Sequence, residues 1–204
     1  MFAKDGYPFI IVSGIVLVVL VFLPKSLLVF LAVLAFAMML WFFRDPERIS
    51  PHDEKAIVSA ADGRVVEISD VVIDGDKYKK ISVFMNVFSV HVNRMPFAGI
   101  VERINHIAGG FVNAAKPEAS ASNERQEFHV RTAYGKMIIT QVAGLVARRT
   151  VTYLEPGASS SKGDRIGMIK FSSRVDHYLP ESVKPEVSLG TKVKAGISTI
   201  AKWS

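Results

Sequence analysis

The residues available for catalysis in this 204-residue chain are few in kind. Zero cysteines leaves no thiol nucleophile, thiolate metal site, iron–sulfur cluster or disulfide. The five histidines, His52, His91, His106, His129 and His177, form neither an HxH nor an HExxH arrangement, so no metal site is expected. A glycine-rich phosphate loop and a GxSxG elbow are also missing, which argues against nucleotide binding and α/β-hydrolase chemistry. What remains centres on serine. Ser172-Ser173-Arg174-Val175-Asp176 follows the strand-like Met168-Ile169-Lys170-Phe171, Asp62 lies in a Ser-Ala-Ala-Asp-Gly turn, and His91 lies in Phe88-Ser89-Val90-His91-Val92-Asn93-Arg94. A hydroxyl, an imidazole and a carboxylate are the parts of an activated nucleophile. Many domains contain these residue types without using them.

The elements that must position these residues are short. Beyond Phe43 the pattern is of β-like segments separated by turns, with no long run of period 3.6. Strands are expected at Ala56–Val58, Gly63–Ser69, Lys79–Phe84, Gly99–Ile107, Phe128–Arg131, Lys136–Ala143, Val151–Leu154, Arg165–Phe171, His177–Leu179, Lys192–Ala195 and Ser198–Lys202. Asp62-Gly63, Asp74-Gly75 and Tyr134-Gly135 are the turn signals between them. The stretch Ala114–Ser122 reads as loop or a single helical turn. The fold class is therefore α+β, predominantly β.

The 50% hydrophobic content and mean hydropathy of +0.28 are high for a wholly soluble domain, and the excess is concentrated at the front. Pro8–Leu23 and Leu27–Phe43 are two nearly uncharged runs separated by Pro24-Lys25-Ser26. Each is slightly short of the ~20 residues that cross ~30 Å of hydrocarbon, so two short spans and a re-entrant hairpin both fit. A retained helical hairpin over residues 1–43 is expected, not a cleaved leader, because a second apolar run follows directly and ends in Trp41-Phe42-Phe43-Arg44. Lys4, Arg44 and Arg48 flank the runs and favour both termini inside, which places residues 44–204 on the cytoplasmic side of the cell membrane. Residues 1–43 carry only Lys4, Asp5 and Lys25, so nearly all of the net charge of +6 belongs to the β-rich part. Anionic membrane lipid suits such a domain. Nucleic acid is not expected, since no helix-turn-helix, zinc or RNP pattern accompanies the charge. Exposed β-edges call for cover, and a homodimer is one way to supply it.

At the serine-centred residues the chain resembles the short-form phosphatidylserine decarboxylases, membrane-associated, pyruvoyl-dependent proenzymes. The matching stretches are WFFRDPERISP at 41–51, VSAADGRVVEI at 58–68, ISVFMNVFSVHVNRMP at 81–96, NERQ at 123–126, QVAGLVARR at 141–149, GDRIGMIKFSSRVDHYLP at 163–180 and VKAGISTIA at 193–201. They cover nearly everything after the hairpin, in the family's order. The resemblance implies that Ser173 Oγ attacks the carbonyl of Ser172 and that the chain divides into fragments 1–172 and 173–204. Residue 173 then becomes a covalent pyruvoyl group, needing neither metal nor pyridoxal phosphate. Its ketone forms a Schiff base with phosphatidylserine and CO2 leaves, giving phosphatidylethanolamine.

The resemblance also implies supporting roles. Asp62 is expected to orient and support a histidine base for Ser173, with His91 the first choice and His177 the fallback. An ordinary solvent-facing strand position is the competing expectation for His177. The family's long forms carry a second histidine where this chain has Arg94, so one imidazole serves both cleavage and protonation. Asn123, Arg125, Arg148 and Arg149 are candidates for the substrate's phosphodiester or carboxylate.

Ser172 stands where the family has glycine, and its Cβ restricts the backbone at the bond to be cut. Bacterial histidine decarboxylases, which are also pyruvoyl enzymes, resemble this arrangement in processing a Ser-Ser bond. The alternatives are an uncleaved membrane-bound lipid-binding protein and, last, a serine hydrolase built from Ser173, His91 and Asp62.

Overall fold

The computed structural model describes residues 1–23, 26–116, 118–144, 150–170 and 173–204. The chain divides into two compact units, Met1–Glu47 and Arg48–Ser204.

In the first unit a single 3-10 turn at Lys4–Gly6 leads into α1 (Tyr7–Val21), and α2 (Ser26–Phe42) follows. Pro8 sits in the first turn of α1, where its missing N–H leaves no hydrogen bond unmade. Both helices are apolar on every face, yet α1 buries no residue and α2 buries only Ala32 and Phe42. Helices of this kind belong in a core or in lipid, and among the described residues most side chains of these two are not buried. Lys4–Val21 is long and apolar enough to cross a membrane, whereas Ser26–Phe42 is shorter. At the exit of α2 the Arg44 guanidinium lies 4.2 Å from the centre of the Trp41 ring and donates to the Trp41 carbonyl. Backbone bonds from Ala3 N to Phe43 O and from Asp45 N to Met1 O, both 2.8 Å, tie the ends of this unit together.

The second unit contains β1 (Ala56–Val58), β2 (Gly63–Ile73), β3 (Asp76–Met85), β4 (Val92–Arg94), β5 (Gly99–Ile107), the short helix α3 (Ala119–Ser122), β6 (Arg125–Arg131) and β7 (Lys136–Ala143). β8 (Thr150–Thr152), β9 (Ser159–Ser160), β10 (Arg165–Ile169), β11 (Ser173–Pro180), β12 (Lys184–Pro185), β13 (Lys192–Val193) and β14 (Thr199–Lys202) complete it. One large sheet has the order β13-β2-β3-β11-β7-β6-β5-β9, and two three-stranded sheets have the orders β1-β14-β12 and β4-β10-β8. The strands of the large sheet run antiparallel to their neighbours. Asp74 (φ 53°) and Gly75 (φ 88°) form a two-residue turn that sets Ile73 opposite Asp76, as the right-handed twist of a hairpin requires. Ile57, Ile81, Val83, Phe128, Ile139, Val175 and Leu179 are among the fully buried side chains of the core.

The α+β, predominantly β class holds, and β1, β5 and β7 have the bounds read from the sequence. The largest difference is β11, expected at His177–Leu179 and found over Ser173–Pro180. Its neighbours β3 and β7 account for the extension, because they pair with it from Ser173 onward. β4, β9 and β12, of two or three residues each, are additional. Within Ala114–Ser122 the helical turn is α3.

Candidate active site

Ser173 is the first residue of β11, near the middle of the large sheet, with Met85 of β3 on one side and Ala143 of β7 on the other. It is fully buried, and its Oγ donates to Met85 Sδ at 3.5 Å. The same sulfur accepts from Asn93 Nδ2 at 3.6 Å, while Asn93 Oδ1 accepts from Gln141 Nε2 at 2.8 Å. Asn93 is on β4, which is paired with β10, the strand that immediately precedes the Ser172–Ser173 bond. Phe171 and Ser172 themselves lie outside the described residues.

His91 comes to the same end of the sheet by that pairing, since its carbonyl accepts from Ile169 N at 3.3 Å. The ring is fully buried and its Nδ1 is 2.9 Å from the Ser89 carbonyl. A carbonyl can only accept, so Nδ1 carries the proton and the basic lone pair is on Nε2.

His177 is arranged differently. It is fully buried, not solvent-facing, because β11 lies between β3 and β7 and is covered on both faces. Nδ1 donates to the Ile81 carbonyl at 2.9 Å, and Nε2 accepts from Ala60 N at 2.8 Å. Burial pushes its pKa down to about 4 against weaker opposition from the Ile81 bond and Asp176. Both nitrogens are occupied, so His177 is a neutral strut that joins β11 and β3 to the turn bearing Asp62. It has no lone pair left to act as the fallback base.

Asp62 does not orient a histidine among the described residues. Its carboxylate receives Arg48 Nη1 at 2.5 Å on Oδ1 and Arg48 Nη2 at 2.9 Å on Oδ2, and Oδ1 also accepts from Ala195 N at 2.8 Å. Arg48 reaches further, to the Ala195 carbonyl at 2.7 Å. Gly63 is needed beside Asp62, because a Cβ there would collide with the Phe84 carbonyl of β3. Asp62 thus fixes the start of β2 to the segment after β13.

The opposite face of β11 holds a buried ionic network. Arg174 Nε donates to Asp176 Oδ1 at 2.6 Å and Nη2 donates to Glu67 and to Ser82 Oγ, the latter at 2.7 Å. Ser120 Oγ donates to Asp176 Oδ2 at 2.6 Å, and Lys80 Nζ lies 3.1 Å from Glu67 Oε2. Burial alone would raise the Glu67 pKa, but hydrogen bonds from Arg174, Lys80 and Ser69 outweigh it and hold the carboxyl below the usual range. Arg174 Nη1 also donates to the Lys116 carbonyl at 3.2 Å, so the network clamps the segment containing α3 over the strand that begins at Ser173.

The anion-binding candidates are spread out. Asn123 is fully buried and spends its amide on backbone, with Oδ1 accepting from Val112 N and Nδ2 donating to the Val112 and Ala143 carbonyls. Arg125 is bound to Glu127 and to the Ala121 carbonyl. Arg148 and Arg149 lie outside the described residues. Sequence reasoning missed Asn93, Met85, Gln141 and Arg48. Asn93 is in the SVHVNRMP stretch and Arg48 in WFFRDPERISP, but nothing local names their partners.

The site thus holds a buried serine hydroxyl at a strand terminus, an imidazole of fixed tautomer on the segment paired with β10, and no metal-binding cluster among the described residues. Comparison with known proteins points the same way. A family model described as phosphatidylserine decarboxylase matches residues 35–201. A protein of Syntrophus aciditrophicus named phosphatidylserine decarboxylase proenzyme is 43% identical over 206 residues, covering 98% of this chain and 97% of its own length. Relatives with the same name from Solidesulfovibrio magneticus and Desulfotalea psychrophila are 41% and 44% identical, covering 98% and 95% of this chain and 95% and 92% of their own lengths.

Proposed function

This chain belongs to the phosphatidylserine decarboxylase family, a lyase family, and on that premise we propose that it matures by its own chemistry at the Ser172–Ser173 bond. Ser173 Oγ attacks the Ser172 carbonyl as His91 Nε2 takes its proton, and the acyl group moves from nitrogen to oxygen. The ester then eliminates across the Cα–Cβ bond of residue 173, leaving a free carboxylate on Ser172. Water hydrolyses the resulting enamine, ammonia leaves, and residue 173 ends as a pyruvoyl group. The observation that carries this reading is the placement of Ser173, buried at the head of a central strand, with His91, whose Nδ1 is committed to the Ser89 carbonyl, bonded through its own carbonyl to Ile169 at the end of β10.

The pyruvoyl ketone supplies the electron sink through which the serine head group of phosphatidylserine loses CO2. Position 173 suits that role because the Ser173 hydroxyl has a thioether as its partner, not a charge. Weak solvation favours a step in which a carboxylate disappears. His91 Nε2 returns a proton to the substrate carbon that CO2 leaves. The two fragments stay together without a covalent link, since β11 remains between β3 and β7, β13 on β2, and β14 on β1.

The apolar, unburied α1 and α2 support membrane attachment, with Trp41 and Arg44 at the interface. The basic residues around the hairpin favour a cytoplasmic active site facing anionic lipid.

A denaturing gel with intact mass tests the proposal. Fragments 1–172 and 173–204, the smaller one blocked to Edman degradation, are expected from the purified protein, and Ser173→Ala should remain one chain. A single uncleaved chain that releases no CO2 from phosphatidylserine would overturn it in favour of a lipid-binding homologue.

A further inference from the structure

A cleft of about 540 Å³ opens where the turn bearing Asp62 meets the end of β3 and the segment that includes β13. Asp62 lines it, as does Ser89, whose carbonyl fixes the His91 ring. Phe84 also lines it, one residue from Met85, the strand partner of Ser173. Arg64, Lys192 and Lys194 project there and are exposed. Among the described residues no carboxylate pairs with these three cations, and the one lining carboxylate, Asp62, is committed to Arg48. Arg64 is nonetheless held in place, by a 2.7 Å bond from Nη1 to the Gly190 carbonyl. At the rim, Val87 and Phe88 are 47% and 70% exposed on a tight turn in which Asn86 Oδ1 accepts from Phe88 N at 3.0 Å and Ser89 Oγ at 3.3 Å.

An exposed aromatic side chain in front of unneutralised cations fits a lipid whose apolar part stays outside and whose anionic part enters. The substrate head group carries two anions, a phosphodiester and a carboxylate. A cation paired with the carboxylate would stabilise the ground state against loss of CO2, so the cations match the phosphodiester. We propose that the cleft docks the phosphodiester of the lipid substrate on Arg64, Lys192 and Lys194, with Val87 and Phe88 entering the membrane interface. This rests on the reading of position 173 as the reacting group. Asn123 and Arg125, already engaged elsewhere, are not needed for anion recognition.

The test uses the full-length protein in detergent with two substrates: soluble dihexanoyl phosphatidylserine and dioleoyl phosphatidylserine in neutral mixed micelles. Lys192→Gln/Lys194→Gln should mature normally, keep kcat within about twofold and raise KM about tenfold for both substrates, as loss of charge-assisted phosphate contacts predicts. Phe88→Ser should raise KM about fivefold for the micellar substrate alone, since only that substrate presents an interface. A control pair of exposed lysines outside the cleft, Lys77→Gln/Lys184→Gln, should leave both KM values unchanged. Unchanged KM in the cleft variant, or an equal rise in the control, overturns the assignment. Calorimetric binding of dihexanoyl phosphatidylserine to uncleaved Ser173→Ala separates the two readings, because docking on the cations does not depend on maturation. Weaker binding after the added lysine changes supports the cleft even if the cleavage reading fails, and unaltered binding sinks the cleft alone.

Discussion

Asn93 Nδ2 and Ser173 Oγ converge on one sulfur, Met85 Sδ, from 3.6 and 3.5 Å. A thioether is a weak acceptor, so it orients the hydroxyl without holding its proton tightly. Asn93 is in turn fixed by Gln141, which makes this a short relay from β7 through β4 to the head of β11. Asn93→Ala should slow self-cleavage and, in the uncleaved Ser173→Ala background, cost about 1–3 kcal/mol, because the buried Gln141 amide loses its acceptor. Time-resolved gels and thermal unfolding read the two effects. Cleavage at the unaltered rate would remove Asn93 from the maturation machinery.

Ser172→Gly should process at least as fast as the natural chain, since removing the Cβ widens the backbone conformations open to the bond under attack. The fraction of cleaved chain against time after synthesis measures this. Slower processing would show that the serine at 172 assists the reaction.

Arg48→Ala should destabilise the β-rich unit by about 2–3 kcal/mol, as expected when one partner of a largely buried, two-pronged ion pair is removed. Arg48→Lys should recover less than half of the loss, because an ammonium cannot make both bonds to Asp62. Denaturant midpoints in the Ser173→Ala background decide the ranking, and equal stability of the Lys variant and the natural residue would contradict it.

Acid should weaken the fold in two stages. His177 is neutral in the native protein with a pKa of about 4, below the ordinary 6.5, so the unfolded chain binds the extra proton first as pH falls. Stability is therefore lost between about pH 6.5 and 4, by up to about 3 kcal/mol. Glu67, held below its ordinary value of 4.5, contributes stability that is present above that pH and lost as pH falls further. Unfolding midpoints from pH 8 to 3 check this, and His177→Gln should flatten the first stage.

Much of the fold was legible because short apolar, β-branched segments bounded by turn residues mark strands, and β5 and β7 were read to their ends. The polar start of β11 was not. Arg174 and Asp176 look like surface residues until each is seen as the other's partner, and Glu67 lies 107 positions from Arg174. Burial of His177 was hidden for the same reason, since the Ile81 carbonyl and Ala60 amide that satisfy it come from distant segments. The serine and histidine could be singled out by type and motif. The partner of Asp62 could not, because a carboxylate fits an arginine as well as an imidazole.

The antiparallel pairing of β11 with strands on both sides has a consequence for the lifetime of the proposed two-fragment form. Among the described residues, β12 and β14 are the only strands within 173–204 that pair with each other, and the remaining ladders run to strands before residue 172. With cleavage at Ser172–Ser173 as proposed, unfolding would free two molecules where there was one, and recovery would become a second-order encounter that dilution suppresses. The peptide bond that guided the first folding would also be gone. A two-fragment protein formed in the proposed way would persist by the slowness of its unfolding, a one-way inheritance from a precursor that folded while still whole.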